Sequence, residues 1–134
     1  MKFPTGSSLG FFGVFGRSSD LRQIDESFRA LDVHPKTVPE PVKLAMARFV
    51  KDAAGGEPPP EAYRRAAELV GYCVIGANPF AGANGEALTD GVERRIEQAL
   101  IYGTSVDAQL VLLALHAKIV QPSVVDAFDL EAGE

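Results

Sequence analysis

Apolar residues recur at spacings of three and four along most of this chain, the repeat of a helix that buries one face. No stretch alternates apolar and polar residues as a half-buried strand does. Leu21, Ile24, Phe28 and Leu31 share one face of a first predicted helix over 21–32, with Asp20 placed to cap it and Gln23 three residues on as a variant of the capping box. Pro35 ends it, because proline disfavours helical geometry in the preceding residue, His34. A second helix is predicted to begin between Thr37 and Pro41, where Thr37 and Glu40 have capping-box spacing. Its inner stripe is Val42, Met46, Phe49, Val50 and Ala53. Residues 54–60 hold Gly55, Gly56 and three consecutive prolines and read as a loop, with Pro60 suited to the first position of the next helix.

The third helix has the clearest amphipathic pattern, with Tyr63, Ala66, Ala67, Val70, Cys73, Val74 and Ala77 inward and Arg64, Arg65 and Glu68 outward. Residues 76–85, rich in glycine and asparagine, are expected to be turns. A fourth helix, starting at Asn84 or Asp90, turns Leu88, Val92, Ile96, Ala99 and Leu100 inward and Glu93, Arg94, Arg95 and Glu97 outward, and Gly103 closes it. Ser105 caps a fifth helix in which residues 110–115 leave almost no polar side, so it is expected at the centre. Pro122 ends that helix, and Ser123 caps a short final turn through Phe128. The fold class predicted is all-α: a compact bundle of about five helices over residues 20–128, an extended Gly/Phe-rich N-terminal arm over 1–19 and an acidic tail over 129–134.

Composition supports a packed core, with 46% of 134 residues hydrophobic and 23% charged. The single cysteine, Cys73, cannot close a disulfide within the chain and fits a reducing compartment, so a soluble, cytoplasmic protein is expected. Glycines interrupt the apolar patch at 9–15, Arg17 follows it and no small-residue cleavage site appears, so no secretory leader is expected. The longest apolar run, 110–115, is far short of the roughly 20 residues of a spanning helix. A net charge of −5 argues against a protein built to grip a polyanion. The charge is unevenly placed: residues 1–51 carry 8 lysines and arginines against 5 acids, and the remainder 5 against 13.

One cysteine and two histidines do not make a closed zinc set, and neither di-iron nor calcium spacing is present, so no metal and no cofactor are expected. Cys73 lies on the buried stripe as an inert thiol. His116, at the end of the apolar run, is predicted to be partly buried and hydrogen-bonded, and His34, beside a proline, to be exposed. Glu93 and Glu97 stand one turn apart, but Arg94 and Arg95 beside them favour a solvated, salt-bridged face. The glycines of 76–85 lack the Lys-Ser or Lys-Thr and the preceding strand of a phosphate loop.

The run Leu9-Gly10-Phe11-Phe12-Gly13-Val14-Phe15-Gly16 sets three phenylalanines on a glycine-spaced segment. Each exposed phenylalanine forgoes about 2 kcal/mol of burial, so the segment calls for an apolar surface: its own bundle, another chain or a membrane. The function favoured is a non-enzymatic protein-protein interaction or self-association module, a homodimer or a binder of another protein, with Phe11, Phe12, Val14 and Phe15 as contact area. The alternative is a small-ligand-binding protein or enzyme with a pocket beside the central helix, its polar groups being Glu93, Tyr102 and His116. A weak regulatory contact with nucleic acid through the basic half is a third reading. The acidic whole opposes both that and a membrane partner.

Overall fold

Ser18 takes extended backbone, and its side-chain oxygen accepts a hydrogen bond from the Leu21 N–H at 3.2 Å, satisfying one of the unpaired donors of a helix start. From that cap the chain enters α1 (Ser19–Ala30) in the computed structural model, which describes residues 18–131. Six more α-helices follow: α2 (Glu40–Ala54), α3 (Pro60–Ile75), α4 (Ala77–Asn84), α5 (Glu86–Ile101), α6 (Val106–His116) and α7 (Pro122–Phe128), with a 3₁₀ turn at Pro35–Thr37 before α2. The fold is all-α among the described residues, with seven α-helices rather than about five.

Several expected boundaries are corrected. The cap of α1 is Ser18, not Asp20, because Asp20 lies inside the first turn and its carboxylate is engaged elsewhere. The Thr37–Glu40 capping box does not form. Thr37 Oγ1 instead donates to the His34 carbonyl, and Pro39 precedes α2 without a side-chain cap. Pro60 does open α3, and the Ser105 oxygen does cap α6 by accepting from the Ala108 N–H at 3.1 Å. The C-cap of α5 is Tyr102, one residue before the expected Gly103.

The largest difference is α4, where turns were expected. Gly76 and Gly85 both have φ 93, with ψ 167 and 160, a backbone region essentially reserved for glycine. Each lets the chain change direction within one residue, so α3, α4 and α5 are joined by single glycines. Pro79 is tolerated inside α4 because it occupies the first turn, where an N–H has no helical partner. The Asn84 side-chain amide then donates to the Leu31 carbonyl at 2.9 Å, tying the end of α4 to the end of α1.

The hub of the bundle is α3, not the helix carrying 110–115. It packs against α1, α2, α4, α5 and α6 and buries nine residues, against five in α6. Ala66, Ala67, Gly71 and Cys73 explain this, since small side chains let neighbouring helices approach on several sides. At Gly71 a Cβ would lie 3.2 Å from Val33 Cγ2. In the 110–115 run Leu110, Val111, Ala114 and Leu115 are buried, but Leu112 is 45% exposed. Ala53 and Leu100, expected inside, are exposed. Leu130, in the stretch expected as an acidic tail, is buried against the core and its N–H donates to the Val125 carbonyl at 2.9 Å. No single helix among the described residues is long and apolar enough to cross a membrane.

Candidate functional site

Among the clefts of the bundle, one joins an alanine-lined recess to a rim held by Arg95, and another contains the Tyr72–Glu93 pair. The first lies at the end where α2 finishes and α3 and α6 begin. Its walls are Val50, Ala53 and Ala54 of α2, Ala62 and Ala66 of α3, and Val106 and Leu110 of α6, enclosing about 400 Å³. Alanines at four of these positions leave a recess that larger aliphatic side chains would fill.

Arg95 of α5 forms one rim of this cleft. Its Nε and Nη2 donate to Asp107 Oδ2 and Oδ1 at 3.0 and 2.8 Å, the two-pronged geometry in which guanidinium and carboxylate match best. Nη2 also donates to the Arg65 carbonyl at 3.0 Å, and Nη1 lies 3.5 Å from Glu68 Oε1. One side chain thus braces α5 against both α3 and α6. Asp107 in the first turn of α6 also complements the positive end of that helix. Arg95, expected on a solvated face, has only 15% of its side-chain surface exposed.

Near the same ends of α2 and α3, Asp20 accepts from Tyr63 Oη at 2.8 Å and pairs with Lys51 Nζ. The hydrogen bond from Lys51 is the main reason the Asp20 carboxyl sits below its ordinary value, with burial opposing and Tyr63 assisting. These contacts fix the start of α1 against the end of α2 and the start of α3.

The second cleft, of about 490 Å³, lies where α3, α4, α5 and α7 meet and is lined by Tyr72, Asn78, Glu93, Glu97, Gln121, Ser123 and Phe128 among others. Tyr72 Oη donates to Glu93 Oε2 at 2.7 Å, and its ring makes edge contacts with Phe80 and Phe128 at centroid distances of 5.7 and 6.4 Å. Burial first, and then the Glu93 carboxylate, push the Tyr72 hydroxyl well above its usual value of 10, so it remains a proton-bearing donor. Glu93 and Glu97 do share a face, but it lines this cleft rather than forming a salt-bridged surface with Arg94 and Arg95. Tyr72 was not picked out from the sequence. The available signal is a hydroxyl amid the apolar run 69–75, where a buried tyrosine needs a polar partner.

Of the residues proposed for a pocket, only Glu93 lines a cleft. Tyr102 is 62% exposed at the end of α5 and lines neither cleft. His116 also lines neither, and is exposed at the end of α6 rather than partly buried, because the helix finishes at that residue. His34 is exposed, and its Nδ1 accepts from the Lys36 N–H. Cys73 is buried, and the apolar surroundings push its thiol up to about 12, which holds it as the unreactive neutral form. Phe11, Phe12, Val14 and Phe15 lie outside the described residues. No three His, Cys, Asp or Glu side chains gather into a metal-binding group among the described residues. The chain matches no family model, and no curated protein or solved structure resembles it significantly.

Proposed function

We propose that this chain is a non-enzymatic protein-interaction module that receives an apolar, aromatic-bearing segment of polypeptide in the cleft between α2, α3 and α6. The observation that carries this reading is the division of labour within the cleft. Its walls are mainly aliphatic, and of the three charged residues on its rim, Arg65, Arg95 and Asp107, the last two are spent on one another. Such a recess offers burial to an inserted side chain and positions no group to move a proton. Ala53 and Ala54 are exposed there, so their methyls are open to a ligand.

The test is a selection of short peptides on the chain carrying F11S, F12S and F15S, so that these aromatics do not compete. Enriched peptides should carry paired aromatic or aliphatic residues and lose at least about tenfold in affinity when Ala53→Arg is added. Arginine suits this site near the end of α2, where a cation complements the helix dipole, so the change tests the cleft rather than the fold. Peptides indifferent to Ala53→Arg would remove the cleft from the account.

A second reading has one observation in its favour, the Tyr72–Glu93 hydrogen bond in a cleft that also presents Glu97 and Asn78. A small organic cation suits that acceptor-rich wall. A thermal-shift screen of amines and guanidines that raises the melting temperature of wild type but not of Glu93→Gln supports it, and no shift in either removes it.

A further inference from the structure

We infer that the polypeptide received by the α2/α3/α6 cleft carries an acidic side chain close to its apolar anchor, and that Arg65 and Arg94 bind that carboxylate. This rests on the reading of that cleft as a site for apolar polypeptide. A neighbouring cleft of about 570 Å³ runs between α3 and α5 and shares three lining residues with it, Arg65, Arg95 and Asp107. The Arg95–Asp107 bridge therefore stands as a partition between an aliphatic recess and a compartment of different chemistry.

That compartment has a surplus of positive charge. Arg65, Arg94 and Arg95 line it against Glu68 and Asp107, and both acids are taken up by Arg95. Arg65 and Arg94 are exposed, and neither guanidinium has a hydrogen bond or ion pair with any described residue. They come from the two helices that wall the cleft, with Gln98 as a further polar group beside them. Each presents a planar fork of donors that a carboxylate matches. Gly91, on the same wall as Arg94, keeps the space open: a Cβ there would meet no atom within 4 Å, and its backbone is not left-handed. Neither packing nor backbone geometry calls for glycine at that position, where it weakens the helix relative to alanine. Because Arg65 borders both clefts, an acid within about four residues of the anchor reaches it, roughly 13 Å along an extended peptide or 6 Å along a helical one. The chain as a whole carries −5, so the attraction is local to this cleft, which favours a short acidic motif over nucleic acid.

The test uses the short peptides selected on the full chain carrying F11S, F12S and F15S. Enriched sequences should hold Asp or Glu within about four residues of the apolar anchor, and changing that acid to its amide should weaken binding at least about tenfold. Arg65→Gln with Arg94→Gln should weaken the acidic peptide by the same factor and leave the amide peptide unaffected, as a double-mutant cycle requires of a direct pair. Added salt should weaken the acidic peptide on the parent chain and not on the double variant. Gly91→Glu sets a carboxylate one turn before Arg94 and Arg95 on α5, so it should raise the melting temperature while weakening the acidic peptide at least about tenfold, a loss that unfolding does not explain. Enriched peptides without an acid, or an acid whose amide binds equally well, would overturn the inference, and if such peptides still lose affinity to Ala53→Arg the receptor cleft stands. An acid-dependent peptide indifferent to Arg65→Gln with Arg94→Gln places its carboxylate elsewhere and also overturns it. A short single-stranded oligonucleotide that displaces the peptide through these arginines would assign them to nucleic acid instead. Peptides that ignore Ala53→Arg remove the recess and the inference together.

Discussion

Lys43 and Asp25 meet at 2.9 Å between α2 and α1, with only 7% and 13% of their side-chain surfaces exposed. An ion pair so enclosed loses much of its hydration, and its attraction mainly offsets that loss. Breaking the pair from one side therefore costs far more than replacing it. Lys43→Met should destabilise the fold by about 3 kcal/mol, whereas Lys43→Met with Asp25→Leu should recover most of that loss. Urea unfolding of the three proteins checks this, and equal losses in the single and double variants would refute it. The pair was not legible in the sequence. Lys43 follows Val42 on a helix whose apolar stripe is plain, yet a lysine is ordinarily assigned to solvent, and only the tertiary placement of α1 supplies the acid that keeps it inside.

At the scale of the element, the glycines of α4 and its joints separate two effects. Gly82 lies within α4 with open space around it and no left-handed backbone, so Gly82→Ala should stabilise by up to about 1 kcal/mol through reduced freedom of the unfolded chain. Gly85 has equally open surroundings but φ 93, so Gly85→Ala should destabilise by about 1–3 kcal/mol. Melting curves of the two variants should shift in opposite directions, and a stabilising Gly85→Ala would dismiss the single-residue joint. The helices that could be read from sequence, such as α3 behind Pro60 and α6 behind Ser105, combine an apolar stripe with conventional starting chemistry. α4 combines neither. In Ala77–Asn84 only Phe80 is buried, and Asn78, Pro79 and Gly82 are residues that favour turns, so its helicity depends on docking to α3 and α5. The cleft was hidden for a similar reason: Ala53 and Ala66 read as inner-face residues and Ala54 as the start of a loop, and only the packing of α2 on α3 sets them with Ala62 around one recess.

Across the whole molecule, the contacts of Asp20, Tyr63 and Tyr72 predict a dependence of stability on pH at both ends of the range. Asp20 has a folded pKa below its ordinary 3.8, so its contribution is complete above that value and is lost as pH falls through the lower folded one. Tyr63 and Tyr72 are raised above 10, first by burial and then by Asp20 and Glu93 respectively, so their contributions are complete below pH 10 and are lost as pH rises through the folded values. Melting temperature measured against pH should therefore fall below about pH 4 and above about pH 10, with Asp20→Asn flattening the acid limb and Tyr72→Phe the alkaline limb. Limbs unchanged in these variants would show that other groups control them. The position of the hub was misjudged from sequence because an uninterrupted apolar run marks dryness, whereas centrality depends on how closely neighbours can approach, which Ala66, Ala67 and Gly71 determine. The last turn of that hub carries a further dependence. The Cys73 carbonyl, among those a helix end leaves unpaired, receives its hydrogen bond from the Gln121 N–H at 2.8 Å. A change that draws residue 121 away from α3 therefore strands a carbonyl at the end of the central helix, so the start of α7 helps to complete the end of α3.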